Sequence, residues 1–234
     1  MKYVISLVAV ILIGAALFGL MMFFNPFAGR QSISPLAVTD SRLLNLSFSS
    51  VSSETLLLTN DGESTPSPHP SKVLQLWEPP IGKTSAMVVV LQDGRGEPAG
   101  IGIKFWSQSE STRVLSSKLL VDSIWHIYLP GRGTMLVDQQ ENYWSYLHDV
   151  VVEAHKSSGD SWRGNWNGVM TVSPNLIGTA RVTGGTGEFA GMETEAVESR
   201  SASAYTVAAG PVAMRGSLTI SLPDLESSEL EEAE

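Results

Sequence analysis

The sequence contains no cysteine among its 234 residues, and it has few basic side chains. The absence of cysteine excludes disulfide bonds, thiolate metal sites and cysteine nucleophiles. Lysine and arginine number 15 against 24 aspartates and glutamates, which gives a formal net charge of −9. Such an acidic chain does not attract phosphate backbones, so the composition argues against a nucleic-acid partner. Low charge density combined with frequent glycine favours a turn-rich β-protein over a helical bundle.

One long hydrophobic run stands at the N-terminus, where residues 3–24 carry no charge. A helix of this length matches a hydrocarbon core about 30 Å thick, so we predict a transmembrane anchor within residues 1–25. The positive charge is slightly heavier before the run (Lys2 and the amino terminus) than after it (Arg30). This predicts a cytoplasmic N-terminus and a periplasmic or extracellular domain. A cleaved signal peptide is the alternative, although the run is long for one and no A-x-A pattern follows it.

The remaining chain divides into a linker, one domain and a tail. Prolines, serines and glycines interrupt residues 26–41 and predict a linker. Residues 42–223 carry the β-domain, and residues 224–234 form a solvated acidic tail. Within the domain, residues 60–71 contain three prolines at alternate positions, which predicts a surface loop because proline fits neither a helix interior nor a central strand.

Short segments of β character fill the predicted domain. We predict strands at residues 43–48, 54–59, 72–77, 85–91 and 101–106, and either two strands or one bent strand over residues 113–129. Residues 162–172 and 212–221 show period-2 alternation with apolar side chains at even positions. Helical periodicity after residue 30 is weak and occurs near residues 143–154. Many short strands with internal glycines predict an antiparallel, strongly curved sheet, which favours a closed barrel.

The most specific motif is the stretch GTARVTGGTGEFAG at residues 178–191. Its glycines permit positive φ angles, so it predicts a strand that ends at Thr183, a glycine turn, and a second strand that begins near Phe189. Phe189 is expected to pack back on the end of the barrel. The predicted structural residues of this hairpin are Gly184, Gly185, Gly187, Phe189 and Gly191.

This hairpin resembles the one in the allene oxide cyclase and dirigent superfamily, whose members carry V-T-G-G-T-G-x-F-x-G followed by a last strand of the G-x-L-T-I kind. Here residues 216–220 read GSLTI, about 25 residues after the hairpin. The resemblance extends back to about Gly100. It implies an eight-stranded antiparallel β-barrel with a hydrophobic central cavity, preceded in this chain by the transmembrane helix. The family usually places another glycine where this chain has Thr194.

Candidate ligand-lining residues come from strand faces that could point into the barrel lumen. A strand over residues 122–128 places Asp122, His126 and Tyr128 on one face and Trp125 on the other, and either face could be the internal one. Six tryptophans occur in the chain, and two of them share a face of the strand at residues 162–172. The candidates are Trp125, His126, Tyr128, Trp162 and Trp166.

Evidence for a metal site or for catalysis is weak. His148 and His155 lie seven residues apart and would share a helix face, but surface placement is the preferred interpretation, so we predict neither a metal nor a cofactor. Asp122, Asp138 and Glu141 are acidic residues near predicted strands, without a motif that makes them catalytic. The sequence contains no G-x-S-x-G elbow.

Three functions remain open. The first is a binding module for a hydrophobic small molecule or a partner, with a homo-oligomer as one form. The second, implied by the resemblance alone, is an isomerase or cyclase acting on a fatty-acid-derived or phenolic substrate. The third is a structural role with a filled barrel. A polar cluster in the lumen would favour the enzyme, an open apolar lumen would favour binding, and a filled lumen would favour the structural role.

Overall fold

The structure, a computed structural model, describes residues 10–17, 42–51 and 84–222. Five predicted features lie outside the described residues: the linker 26–41, the strands 54–59 and 72–77, the loop 60–71 and the tail 224–234. The described part of the chain is mostly β-sheet with a few short helical segments.

Ten strands follow one another along the described chain. They are β1 (Arg42–Ser49), β2 (Ser85–Gln92), β3 (Pro98–Gln108), β4 (Leu120–Leu129), β5 (Gly133–Asn142), β6 (Ser161–Val169), β7 (Thr171–Ser173), β8 (Ala180–Gly187), β9 (Glu193–Thr206) and β10 (Gly210–Leu222). The predicted strands at residues 43–48, 85–91 and 101–106 are confirmed. Residues 113–129 contain a single strand, β4, because the chain first reverses at Ser117 with a φ of 57°.

Eight of these strands close into an antiparallel ring. Their order is β10-β1-β2-β3-β4-β5-β8-β9, and β9 pairs with β10 to complete the circle. The long strand β9 pairs first with β8 and then with β6, while the short strand β7 pairs with β5. The antiparallel pairing predicted from the strand patterns is confirmed, and the ring has the eight strands that the family resemblance implied.

One helical segment, α1, spans residues 144–156 between β5 and β6. It consists of α-helical turns at Trp144–Tyr146 and Val152–Lys156 on either side of a π-helical turn at Leu147–Val151. Its buried side chains join a second apolar cluster against β6, β9 and β10, with members Tyr146, Val150, Trp166, Met170, Ala202 and Met214. The weak helical periodicity near residues 143–154 thus marks a real helix.

Alternation along the strands fills the centre of the ring with apolar side chains. On β4 the residues from Ser123 to Leu129 alternate strictly between buried and exposed. Phe48 packs edge-to-face on Trp125 with ring centroids 4.8 Å apart. An added Cβ at Gly216 would lie 2.1 Å from the Phe48 ring, so this strand glycine makes room for an aromatic side chain. The core includes Leu46, Phe48, Leu91, Trp125, Ile127, Leu129, Met135, Val137, Val182, Leu218 and Ile220.

The glycine-rich hairpin is placed correctly by the sequence, but its turn was predicted too early. β8 continues to Gly187, and the reversal spans residues 188–192 before β9 begins. Gly184 does not form the turn; it allows the returning chain to approach, since a Cβ there would lie only 1.5 Å from the carbonyl oxygen of Phe189. Phe189 is buried in the core, as expected. Gly187 and Gly191 adopt positive φ angles of 65° and 72°.

The N-terminal run is described only in part. Residues 10–17 are helical and exposed, whereas the rest of the predicted span 3–24 lies outside the described residues. Among the residues that the structure describes, no helix has both the length and the apolar character that crossing a membrane requires. The transmembrane anchor stays a prediction.

Candidate functional site

Charged side chains are buried inside the ring, next to its apolar core. Lys104 on β3 is 1% exposed, and Glu141 on β5 and Glu198 on β9 are fully buried. Arg200, also on β9, joins them. We call these four residues the interior charge network. Their hydrogen-bonding partners are Ser123, Trp125, Gln139, Tyr143 and Thr171.

The ammonium group of Lys104 is the centre of this network. Its Nζ atom lies 2.9 Å and 2.7 Å from the two carboxylate oxygens of Glu198 and 2.6 Å from Oε1 of Glu141. The same atom lies 5.2 Å from the ring centroid of Trp125, within the range of a cation–π contact. One cation therefore contacts both carboxylates, whose burial without a partner would be strongly unfavourable.

Glu198 accepts hydrogen bonds from four side chains. Trp125 Nε1 and Gln139 Nε2 donate to its Oε2 over 2.9 Å and 2.5 Å, and the Arg200 guanidinium donates to Oε1 over 2.9 Å and 3.0 Å. Burial by itself would raise the pKa of Glu198, but attraction to Lys104 and then to Arg200 outweighs it and lowers the pKa to about 2. Glu198 is therefore a carboxylate at any physiological pH.

Glu141 connects the network to α1. Ser123 Oγ donates to its Oε1 over 2.5 Å, and the Tyr143 hydroxyl donates to Oε2 over 3.0 Å. Burial raises the pKa of Tyr143 well above its ordinary value of 10, so its hydroxyl stays protonated and able to donate. The Arg200 guanidinium stacks on the Tyr143 ring at 5.1 Å from its centroid and approaches Glu141 Oε2 to 3.6 Å.

Every carboxylate oxygen of the interior charge network is buried and has a donor, which limits its chemistry. All four carboxylate oxygens of Glu141 and Glu198 already have donors among the described residues. A general acid or base must reach its reacting atom within about 3 Å. Both carboxylates are also fully buried, so a substrate can reach them only if the surrounding side chains move. The network instead joins β3, β5 and β9 across the ring, where a shift of register would separate its charges.

A cleft opens where the ring wall separates between β1 and β2. The two strands share only the Ser47–Gln92 pair, whereas β1 pairs with β10 along its whole length. The cleft has a volume of about 510 Å³, and we call it the seam cleft. Because it passes between strands, both inward-facing and outward-facing residues line it. Representative lining residues are Phe48, Val89, Gln92, Ala202, Met214 and Arg215.

The seam cleft has an apolar floor and a polar rim. Phe48 forms part of the floor and contacts Trp125, which donates to Glu198, so the Phe48 and Trp125 side chains lie between the cleft and the interior charge network. Serine hydroxyls, Gln92 and the exposed guanidinium of Arg215 lie around the opening. No acidic side chain is among the lining residues in the described part of the chain.

The structure separates the predicted ligand-lining residues. Trp125 points into the ring and is fully buried. His126 and Tyr128 lie on the exposed outer face of β4, so their predicted place in the lumen is wrong; strand alternation allows only one of the two faces inside. Trp162 and Trp166 do not line the centre of the ring either, because they pack in the second apolar cluster beside α1.

The remaining candidate groups do not assemble into a site. Asp122 and Asp138 face outward, while Glu141 is part of the interior charge network. His148 pairs with Asp149 over 2.8 Å on α1. No group of histidine, aspartate and glutamate side chains in the described residues is arranged to hold a metal ion.

Sequence reasoning missed Lys104, Glu198 and Arg200. The only available signal was strand alternation, which places charged side chains on one face of a strand. Lys104 shares a face of β3 with Gly102, and Glu198 and Arg200 share a face of β9. Charged residues at such positions are usually solvated. Their partners come from other strands, so no local pattern identifies them.

Comparisons with known proteins supply no family. No protein-family model matches the chain, and no curated protein matches it. One solved structure that the chain resembles is described as a nonspecific heme-binding cyclase that catalyses [4 + 2] cycloaddition during neoabyssomicin biosynthesis. The two share 12% identity with a TM-score of 0.33, covering 82% of this chain and 72% of that one. At this level, the similarity bears on neither the activity nor the ligand of this chain.

Proposed function

We propose that this chain is a binding protein with an exported β-barrel domain, tethered to a membrane through residues 3–24. In this proposal the seam cleft, rather than the barrel lumen, holds a small amphipathic molecule with an apolar body and a carboxylate. One contrast carries the proposal: side chains occupy the centre of the ring, whereas the cleft offers about 510 Å³ at the wall. Small-molecule sites typically measure roughly 300 to 1,000 Å³.

The floor of the seam cleft supports the apolar part of this ligand. Phe48, Val89, Ala202 and Met214 face it with aromatic, branched and flexible side chains. Each methylene group buried against them would contribute about 0.8 kcal/mol. Met214 is suited to ligands of varied shape because its thioether side chain is unbranched and polarizable.

The rim supports the polar part of the ligand. Arg215 is exposed at the opening and forms no ion pair with another described residue. A guanidinium binds a carboxylate through two parallel hydrogen bonds, which adds orientation to charge attraction. The neighbouring serines and Gln92 can accept or donate to a second polar group.

An isomerase or cyclase is the second candidate, and one observation favours it. The ring interior contains acidic side chains together with ammonium and hydroxyl donors, the groups that acid–base chemistry uses. These groups are paired with one another and lie behind Phe48. Binding in the seam cleft requires no rearrangement of them, so it is the better supported function.

Native mass spectrometry of the full chain tests the proposal. Decanoate, a carboxylate with an apolar chain, should bind in a one-to-one complex. Arg215→Gln should reduce the bound fraction about tenfold, the effect of roughly 1.4 kcal/mol from a lost charge-assisted contact. Ser203→Trp should abolish binding, because this exposed lining residue would fill the cleft with an indole.

A matched control separates the cleft from general charge attraction. Arg95 lies in the exposed turn between β2 and β3, outside the cleft lining. Arg95→Gln removes the same charge and should leave decanoate binding unchanged. Equal binding by Arg215→Gln, Ser203→Trp and the unmodified chain would contradict the proposal, as would the absence of any complex.

A further inference from the structure

The outer wall formed by β2, β3, β4 and β5 carries a grid of apolar side chains. Strand register aligns these residues in three rows, and nine of the twelve positions are apolar or aromatic. We call this surface the outer patch. Its rows are Val90–Ile101–Tyr128–Thr134, Val88–Ile103–His126–Leu136 and Ala86–Phe105–Ile124–Asp138.

Five large side chains of the outer patch are substantially exposed. Their exposed fractions are 47% for Ile101, 45% for Phe105, 39% for Ile124, 48% for Tyr128 and 40% for Leu136. Side chains of this size leave on the order of 500 Å² of contiguous apolar surface, near the upper end for a monomer. Contiguous apolar patches of this extent are often functional surfaces.

We propose that the outer patch is the interface through which two copies of this chain associate face to face. A standard interface buries about 800 Å² on each partner, and about 65% of a homodimer interface is apolar. Such an interface therefore buries about 500 Å² of apolar area on each partner, which matches the apolar area exposed on the outer patch. Sheet faces pack about 10 Å apart, so two such walls can interdigitate around a two-fold axis.

The charges of the patch fit a second copy better than a lipid surface. The three rows contain no lysine or arginine, the residues that hold proteins on anionic bilayers. The single carboxylate, Asp138 at the edge, is already paired with Arg181 over 2.8 Å. Two identical patches can therefore meet without burying an unpaired charge.

Cysteine crosslinking of the full chain in the membranes of the producing cell tests the interface. Because the chain has no cysteine, a single introduced thiol cannot be crosslinked within one chain, and a product of twice the chain mass requires a second copy. Sheet faces pack about 10 Å apart, whereas a disulfide needs Cα atoms within about 7 Å, so the thiols are joined with a bismaleimide whose spacer spans about 10 Å. We expect Ile103→Cys, His126→Cys or Leu136→Cys, which span the middle row, to give a covalently linked dimer with this bismaleimide.

Two controls make the result specific. Leu176→Cys, at an exposed loop residue off the patch, should stay monomeric. In the background of the crosslinking variant, Phe105→Glu should abolish the dimer because it buries a charge, whereas Leu115→Glu at an exposed residue elsewhere should not.

Three results would overturn the inference. One is the absence of a dimer at all three middle-row positions. Another is equal crosslinking at Leu176→Cys, which indicates random collisions. The third is protection of the middle-row thiols from a water-soluble maleimide without dimer formation, which indicates that lipid covers the patch.

Discussion

The ring interior has an apolar part and a charged part that are buried equally but are stabilised differently. Ile127 and Leu129 gain stability from leaving water and from close packing, which depends little on which apolar neighbour they touch. Lys104 and Glu198 depend on specific partners at specific distances. The apolar part stabilises many related arrangements of strands, whereas the charged part is compatible with one register.

The largest expected effect comes from removing the cation at the centre of the network. Lys104→Met keeps most of the side-chain volume but leaves Glu141 and Glu198 without the ammonium group that they share. The free energy of unfolding, measured by urea titration of the full chain, should fall by about 3 to 5 kcal/mol.

A double variant sharpens this test. Adding Glu198→Gln to Lys104→Met removes one of the two carboxylates that have lost the ammonium group, so the second change should cost much less than Glu198→Gln does alone. Strictly additive losses of unfolding free energy would show that the two side chains are not coupled. The charged part of the interior would then not depend on specific partners, contrary to the distinction drawn above.

Acid should weaken the charged part before the apolar part. The folded-state pKa of Glu198 is about 2, below its ordinary value of 4.5, so the folded state prefers the carboxylate. Its contribution is complete above pH 4.5 and is lost as the pH falls from 4.5 towards 2. We expect a loss of about 3 kcal/mol across this window, measured as the free energy of unfolding.

The control for this pH dependence is Glu198→Gln, which cannot titrate at that position. Its unfolding free energy should be lower at neutral pH and should change less between pH 4.5 and pH 2. A variant with the same slope as the unmodified chain would assign the acid sensitivity to other carboxylates.

The smallest effect is expected in the apolar part. Ile127→Val removes one buried methylene from the core and should lower the unfolding free energy by about 1 kcal/mol. The loss should be the same at pH 7 and at pH 3, because no charge is involved. A loss comparable with that of Lys104→Met would mean that the two parts of the interior respond to change in the same way.

The fold was predictable where strand signals are local. β10 alternates in sequence as it does in the structure, from Met214 to Leu222. The hairpin before β9 was located by its glycines, although its turn lies several residues later because Gly184 and Gly185 belong to β8. A glycine in the sequence can either adopt a positive φ angle in a turn or make room for a neighbouring segment of chain. The sequence alone does not show which of these two roles a given glycine has.

The candidate sites were less predictable because their causes are not local. On β3, a rule that buries the bulkier face would turn Ile101 and Phe105 inward, yet Lys104 occupies the interior. Lys104 can be buried because it pairs with Glu141 and Glu198, which are distant from it in the sequence. The seam cleft depends on the separation of β1 from β2, which neither strand sequence encodes.

Photocrosslinking tests the central claim, that the ligand occupies the seam cleft and not the ring centre. A decanoate analogue with a diazirine on its chain would be bound to the full chain, irradiated and mapped by peptide mass spectrometry. The account predicts labels within residues 47–51, 89–92 and 201–215, and their loss in Ser203→Trp. Labels on Ile127, Leu129 or Met135, at the centre of the ring, would contradict it.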